Sequence, residues 1–192
     1  MMEQPESLEG MIETLHSFGP SVLLVRCLVL AGRGEEAREV SKRVAVTEAA
    51  RLAATPDLPP TENADLRLRV TFSELIAGRK RNARVFLNAF LREAERLNAN
   101  QPGHLRDVAG SLAIAALLVG DASASAKVLG LLSRIELLPV RVLRAILDHD
   151  VGSLRACGKE VKDYIQRAGV PLWSDTWHHM LVLAIDDALC GQ

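Results

Sequence analysis

The chain has 192 residues, a formal net charge of −1, an apolar content of 48% and an aromatic content of only 4%. A chain of this length can bury a sizeable core, and its near-neutral charge excludes a general electrostatic attraction to nucleic acid or to anionic membranes. The small share of aromatic residues argues against a β-sandwich and favours closely packed helices.

The cysteines and the lengths of the apolar runs indicate the cellular compartment in which the protein resides. Cys27, Cys157 and Cys190 are isolated from one another, and none has a CxxC partner, so we expect neither a disulfide framework nor a structural zinc site. The first residues lack the basic and apolar regions of a secretion signal. The longest apolar runs, residues 21–30 and 111–119, are too short to span a bilayer. We therefore expect a soluble cytoplasmic protein with no membrane span.

In the first half of the chain, apolar residues recur every three or four positions, which is typical of amphipathic helices. Helices are predicted over about residues 7–18, 21–31, 35–54, 64–77 and 81–98. The second of these segments is apolar on nearly every side, so we expect it to lie deep in the core. Three prolines predict a loop over residues 55–63, with Thr61 or Asn63 capping the helix that follows.

The second half continues in the same pattern after a polar loop at residues 98–104. Helices are predicted over about residues 105–119, 123–135, 140–147, 153–168 and 175–190, the last capped by Ser174 or Asp175. No stretch alternates with the period of two that a strand requires. The predicted fold class is therefore all-α, with about nine helices in a single domain over residues 1–192.

Three of the predicted turns between helices resemble one another. Each joins an apolar helix end to a glycine, a polar turn and, five positions after the glycine, a small residue: Gly32 with Ala37, Gly78 with Ala83, and Gly120 with Ser125. Glycine adopts the left-handed conformation that ends a helix, and a small residue lets the returning helix pack closely. A helix pair of this kind cannot bury its own apolar face, so such pairs stack.

With these turns, the chain resembles the tetratricopeptide-like group of helical repeats over about residues 21–135. The resemblance implies stacked antiparallel helix pairs that form an α-solenoid. It also implies a groove, lined by the first helix of each pair, that accepts a peptide or helix of another protein. An irregular helical bundle with similar turns is the alternative architecture.

The leading functional hypothesis is a non-catalytic scaffold, adaptor or chaperone that binds a partner protein in this groove. The polar residues expected to line it lie on the predicted helices 64–77 and 105–119. They are Arg67, Arg69, Glu74, Arg106 and Asp107.

The alternative hypothesis is a nucleic-acid-binding or regulatory domain. Arg79, Lys80, Arg81 and Arg84 form the one concentrated basic cluster of the sequence and are candidates for binding an anion. A solvated turn is the more common role of such a run, and no aromatic residue is interleaved to stack bases. Binding to nucleic acid is therefore not expected.

The richest set of metal-ligand residue types is His178, His179, Asp186 and Asp187. The carboxylates lie about two helical turns from the histidines, too far for ligands on one helix face. We interpret all four residues as polar ends that flank a buried apolar run. No metal site and no cofactor are predicted.

Catalysis is also not predicted. Residues 148–150, Asp-His-Asp, are interpreted as a loop that caps helices, and Cys157 as a half-buried helix cysteine, although Lys159 lies close enough in sequence to lower its pKa. No catalytic motif of the known classes is present. A helical small-ligand sensor or enzyme is therefore the third hypothesis.

The last predicted helix has an apolar stripe that closes the final helix pair. It consists of Trp177, Met180, Leu181, Ala184 and Ala188. A second side of the same helix is apolar at Val182, Leu183 and Ile185. A terminal helix of this kind is either packed between neighbours, the more common case, or pairs with a second copy of the chain.

Overall fold

The computed structural model of the chain describes residues 7–100, 102–168 and 176–190. Its elements are α1 (Leu8–Phe18), α2 (Val22–Leu30), α3 (Gly34–Ala54), α4 (Pro60–Ile76), α5 (Lys80–Asn100), α6 (Pro102–Val119), α7 (Ala122–Leu131), α8 (Leu138–Leu147), α9 (Val151–Ala168) and α10 (Thr176–Cys190). Within these ranges the regular structure is entirely helical, which confirms the all-α fold class. The described helices number ten, one for each of the ten segments predicted from the sequence, so the expected total of about nine is one too low. None of the described helices is long and apolar enough to cross a bilayer.

Several helices begin at a side-chain cap. The hydroxyl of Ser7 accepts a hydrogen bond from a backbone N–H in the first turn of α1, and Ser21 does the same for α2. Asp121 caps α7 by accepting from the backbone N–H of Ala124 at 2.8 Å. Asp150 caps α9 by accepting from the backbone N–H of Ser153 at 3.0 Å. Each of these side chains satisfies a backbone donor that has no partner within its own helix.

The loop before α4 is shorter than predicted. The helix begins at Pro60, so the loop spans residues 55–59 rather than 55–63. Proline fits the first helical turn because the N–H that it lacks would have no partner there. Thr61 and Asn63 therefore lie inside the helix and do not cap it. Asn63 instead accepts a hydrogen bond from Arg67 Nε at 2.6 Å.

The polar loop predicted at residues 98–104 is also largely helical. Helix α5 continues to Asn100 and α6 begins at Pro102, so only residue 101 separates their described ends. Pro102 stands at a helix start for the same physical reason as Pro60. The predicted caps Ser174 and Asp175 lie outside the described residues.

The left-handed glycines predicted at the repeated turns are confirmed. Gly32, Gly78 and Gly120 have φ values of +72°, +77° and +68°. At the first two turns, the N–H of the following residue reaches back to a carbonyl in the last turn of the helix, over 2.9 Å from Arg33 to Leu28 and 2.8 Å from Arg79 to Glu74. This is the hydrogen-bond pattern of a glycine-terminated helix. The small residues five positions after the glycines, Ala37, Ala83 and Ser125, are all buried.

A fourth turn of the same type, between α8 and α9, was not predicted. His149 occupies the left-handed position with a φ of +53°, and the N–H of Asp150 bonds the carbonyl of Ala145 at 2.9 Å. A histidine in this conformation is strained relative to glycine, and it carries no glycine signal in the sequence. The four turns join α2 to α3, α4 to α5, α6 to α7 and α8 to α9.

Helix packing follows chain order, with additional contacts between the first helices of successive pairs. Each helix packs against the next, α4 also packs against α6, and α6 against α8. The second helices α5 and α7 are in contact as well, and α10 packs against α6, α8 and α9. Gly158 permits a close approach of α9 and α10, because a Cβ atom there would lie only 3.2 Å from Ile185.

The core consists of three clusters of buried side chains. The N-terminal cluster joins α1, α2 and α3 around Ile12 and Leu28. The central cluster joins α4 to α8 around Phe90 and Leu112. The C-terminal cluster joins α6, α8, α9 and α10, and it buries Leu181. The central and C-terminal clusters share partly buried side chains, so α6 belongs to both.

The expectation that α2 lies deep in the core is wrong for one of its sides. Leu24, Val25, Cys27 and Leu28 are buried, whereas Val22, Leu23 and Val29 are 37%, 46% and 39% exposed. Helix α2 packs mainly against α1 and α3, and these two neighbours cover only part of its circumference. An apolar sequence therefore does not by itself show that a helix is surrounded.

Candidate functional site

A shallow depression lies between α4 and α6, the first helices of two successive pairs. It has a volume of about 300 Å³ and is lined by Asp65, Leu68, Arg69, Phe72, Val108 and Ser111. Residues 65, 69 and 72 stand on one face of α4, as their helical spacing requires. We refer to this surface as the α4–α6 depression.

The floor of the α4–α6 depression is apolar and its margin is polar. Leu68 is part of the central cluster, and Phe72 packs against both the central and the C-terminal clusters. Val108 is partly buried against the central cluster, whereas Arg69 is exposed. Small apolar pockets with a few charged groups at the edge are typical of sites that anchor one side chain of a partner.

An unsatisfied polar atom lies beside the same depression. His104 stands one helical turn before Val108, and its side chain is only 14% exposed. Its Nε2 atom lies 3.5 Å from Asp65 Oδ1, yet it is buried without a hydrogen-bond partner in the described structure. A buried polar atom left in this state destabilises a fold by about 1–3 kcal/mol, so a group that bonded it would be stabilising.

The predicted partner-binding residues occupy different environments. Arg69 lines the margin of the α4–α6 depression, and Arg106 and Asp107 are exposed on α6. Asp107 stands one helical turn before Ser111, so it lies on the side of α6 that borders the depression. Arg67 is half-buried and donates to Asn63. Arg67 is thus engaged within its own helix.

Glu74 does not fit the predicted role of an exposed contact. It is 5% exposed, and its carboxylate accepts two hydrogen bonds from Arg79, at 2.5 Å from Nε and 3.1 Å from Nη2. Asn82 Nδ2 lies 3.5 Å from the same carboxylate. The pair ties the end of α4 to the turn before α5. Because Glu74 is buried, it is not part of a partner-binding surface. Arg79 is already paired with Glu74.

The remaining residues of the basic cluster are divided between solvent and a second ion pair. Lys80 and Arg81 are exposed at the start of α5. Arg84 Nη2 lies 2.7 Å from Asp121 Oδ2, which connects α5 to the first turn of α7. Two of the four predicted anion-binding residues thus already contact carboxylates.

The structure describes only part of the histidine and carboxylate set near the end of the chain. Asp186 lies 3.3 Å from Lys162 Nζ, whereas the side chains of His178, His179 and Asp187 lie outside the description. Among the described side chains, no group of three or more His, Cys, Asp or Glu residues is close enough to hold a metal ion.

The Asp-His-Asp segment at residues 148–150 ends one helix and begins the next. Asp150 Oδ2 accepts a hydrogen bond from the Ser153 hydroxyl at 2.6 Å. This bond, together with the backbone N–H of Ser153, holds the pKa of Asp150 below its usual value. The segment therefore acts as a helix junction, in agreement with its interpretation from the sequence.

Cys157 is buried, not half-buried as predicted, and it is among the residues that line a cavity of about 230 Å³ between α8 and α9. Burial raises the pKa of its thiol, an effect that nearby Arg141 only partly opposes. A raised pKa disfavours the thiolate, which is the nucleophilic form. Arg141 and Arg144, which also line the cavity, pair with Glu160 and Glu136 at 2.9 Å and 3.1 Å. The cavity thus holds a thiol with a raised pKa beside two arginine side chains that are paired with glutamates.

Comparison of the chain with protein-family models, with curated proteins and with solved structures gives no match.

Proposed function

We propose that this protein is a helical-repeat interaction module that binds a segment of another protein across the first helices of its helix pairs, as a scaffold, adaptor or chaperone does. The binding surface is centred on the α4–α6 depression. The observation that carries the proposal is the depression itself, where an apolar floor is bordered by charges of both signs at the contact between two first helices.

The arrangement of the turns supports an α-solenoid of stacked pairs. Three glycine turns and the equivalent turn at His149 each end one helix with a left-handed residue, and each joins two helices that pack against one another. Contacts of α4 with α6 and of α6 with α8 are those that stacked pairs make between their first helices. In such a stack, the first helices form a continuous surface that can accept an extended or helical segment.

The chemistry of the depression defines the segment that would fit. An apolar side chain would contact Phe72 and Val108, and burial of such an anchor supplies most of the binding free energy in small interfaces. An acidic group would pair with Arg69, and a basic group with Asp65 or Asp107. A hydroxyl or amide that reached His104 Nε2 would complete its hydrogen bonding.

Reversal of the two exposed charges tests this surface. We expect the double variant Arg69→Glu, Asp107→Arg to lower the affinity for the natural partner by about tenfold or more, because close charge pairs across an interface contribute about 1.5 kcal/mol or more. The matched control Arg51→Glu, Asp57→Arg also reverses one charge of each sign, at exposed positions of α3 and of the loop that follows it. If both double variants bind the partner with equal affinity, the α4–α6 depression is not part of the binding site.

Binding of a polyanion through the turn at residues 79–84 is the alternative function, and the exposure of Lys80 and Arg81 is what favours it. A filter-binding titration of nucleic acid against salt distinguishes the two functions. Contacts to phosphates release counterions, so the logarithm of the affinity would fall linearly with the logarithm of the salt concentration. Absence of binding at low salt would exclude the alternative.

A further inference from the structure

A second recess, separate from the α4–α6 depression, lies between α5 and α7. It has a volume of about 340 Å³, and its lining consists of Arg84, Asn88, Leu91, Arg92, Asp121, Ser123 and Lys127. It is formed by the second helices of two successive pairs rather than by their first helices. We refer to it as the α5–α7 recess.

Positive charge dominates the α5–α7 recess. Arg84, Arg92 and Lys127 contribute three cations, against the single carboxylate of Asp121. Both oxygens of that carboxylate are already engaged, one with the backbone N–H of Ala124 at 2.8 Å and the other with Arg84 at 2.7 Å. Arg92 and Lys127 are exposed, and neither forms an ion pair in the part of the chain that the structure describes.

Neutral donors complete the recess. Asn88 supplies a side-chain amide, and Ser123 supplies a hydroxyl in the first turn of α7. The Asp121 carboxylate already caps this turn by accepting from the backbone N–H of Ala124, so only the earlier N–H groups of the turn remain as donors without a partner within the helix. Cations, neutral donors and a helix start therefore converge from two helices, a combination that stabilises a compact anion.

We propose that the α5–α7 recess binds a phosphate monoester group. A monoester is a dianion near neutral pH and accepts several charge-assisted hydrogen bonds at once, as Arg92, Lys127 and Ser123 together can donate. The donors converge on one concave site, whereas a nucleic acid would require a row of contacts along a surface. The proposal is independent of partner binding at α4 and α6.

Titration of the ¹⁵N-labelled full-length chain tests this site. The probes are phenyl phosphate, inorganic phosphate and a short oligodeoxythymidine, each followed by amide chemical shifts. We expect phenyl phosphate to cause saturable shifts at the amides of Ser123 and Lys127. The affinity should fall when the pH is lowered through about 6, where the dianion takes up a proton.

Matched variants separate the recess from general charge effects. Arg92→Ala with Lys127→Ala removes the two exposed cations, and the affinity for phenyl phosphate should fall about tenfold, since each removed cation takes away a charge-assisted contact. Arg155→Ala with Lys159→Ala removes the same charge at exposed positions of α9 and should leave the affinity unchanged. Amide spectra of both variants report whether the fold is retained.

The outcomes divide clearly. Equal affinity for inorganic phosphate supports the site with free phosphate as its ligand, and tighter binding of phenyl phosphate supports a phosphorylated molecule. Absence of saturable shifts at α7 would overturn the proposal, as would an equal loss of affinity in both double variants. A third result is that the oligonucleotide binds more tightly per phosphate than phenyl phosphate and releases several counterions. That result would overturn the phosphate-monoester proposal in favour of a nucleic-acid-binding surface.

Discussion

Glu74 and Arg79 form an ion pair with unequal burial. The Glu74 side chain is 7% exposed and that of Arg79 is 34% exposed, so the carboxylate depends on the guanidinium for its charge compensation. Removal of one partner of such a pair leaves a buried charge without compensation, which destabilises more than the net contribution of the intact pair. Arg79 is thus a structural residue of the turn despite its place in a basic cluster.

The asymmetry leads to a stability prediction. We expect Arg79→Ala to lower the free energy of unfolding by about 2 kcal/mol, because it leaves the Glu74 carboxylate buried without its guanidinium partner. Arg81→Ala, two positions later and exposed, should change it by less than about 0.5 kcal/mol. Urea denaturation measures both. Similar stabilities of the two variants would show that the ion pair does not support the turn.

His149 provides a second prediction for a single residue. Its φ of +53° lies in the left-handed region, where glycine is favoured over other residues by about 1 kcal/mol. We expect His149→Gly to stabilise the protein by up to about 1 kcal/mol. Gly78→Ala should destabilise the protein by about as much, because φ there is +77°. The added Cβ would meet no atom closer than 4.0 Å, so the backbone conformation is the only source of the destabilisation. Changes of the opposite sign in thermal unfolding would refute the assignment of equivalent turns.

Sequence reasoning identifies some of these residues and misses others. Gly32, Gly78 and Gly120 are visible because glycine is the residue type that the left-handed conformation favours. His149 adopts the same conformation without that signal. Glu74 has the charge of a surface residue, and its burial depends on which face of α4 meets the rest of the chain. The tertiary contacts that decide this are not encoded in helical spacing alone.

At the scale of helices, the cap of α9 couples helix stability to pH. The pKa of Asp150 is lowered from its usual value of 3.8, first by the Ser153 hydroxyl and then by the Ser153 backbone N–H. A carboxyl group with a lowered pKa stabilises the folded state above its unfolded pKa, and this stabilisation is lost as the pH falls through the folded pKa. The charged Asp150 cap therefore stabilises the folded state at neutral pH, and this stabilisation is lost in acid.

Removal of this cap is expected to have a pH-dependent effect. Asp150→Ala should lower the unfolding temperature at pH 7, and the difference from the unmodified protein should shrink as the pH falls below 3.8. Asp148→Ala serves as the control, because this neighbouring carboxylate is exposed and is not the N-cap of α9. A deficit for Asp150→Ala that stays constant from pH 7 to pH 3 would contradict the cap.

Helix boundaries are predicted well where the signal is local. Ser21 and Asp121 begin helices through hydrogen bonds within one turn, and these starts lie within two residues of the predicted ones at about 21 and 123. Pro60 and Pro102 are read as loop residues although they occupy first turns, because proline favours both environments. The sequence does not predict the exposed side of α2, because the helices that pack against α2 are determined by the fold and not by the sequence of α2 itself.

At the scale of the whole molecule, the three core clusters predict graded cooperativity. The N-terminal cluster is formed by α1, α2 and α3, and α1 makes its main contacts with α2 alone. The central cluster spans five helices, from α4 to α8. In the proposed stack of helix pairs, which contacts between neighbours would stabilise, a defect at one end stays local, whereas a defect at the centre spreads.

Hydrogen exchange measures this gradation. Ile12 and Leu112 are both fully buried, and truncation of either to alanine should destabilise its surroundings by about 2–5 kcal/mol. We expect Ile12→Ala to accelerate exchange chiefly in α1 to α3. Leu112→Ala should accelerate it from α4 to α8 and beyond. Uniform acceleration throughout the chain in both variants would indicate a single cooperative bundle rather than stacked pairs.

The all-α class follows from helical periodicity, and the contacts between consecutive helices follow from short turns. The position of the α4–α6 depression does not follow from either. The depression brings together Asp65 and Phe72 of α4 and Val108 of α6. None of these residue types signals a site in the sequence, and only the packing of α4 on α6 brings the two groups together. Of the predicted partner-binding residues, Arg69 lines this depression, and Asp107 lies one helical turn from it.

Site-specific photo-crosslinking in the native cell tests the central claim most directly. A photoreactive amino acid replaces Arg69 or Asp107 at the depression, and Arg51 or Arg155 at exposed positions of α3 and α9. We predict that positions 69 and 107 crosslink to one segment of one protein, and that the isolated segment, added as a peptide, competes with the reaction. Equal crosslinking at all four positions, or crosslinking only at positions 51 and 155, would contradict the account.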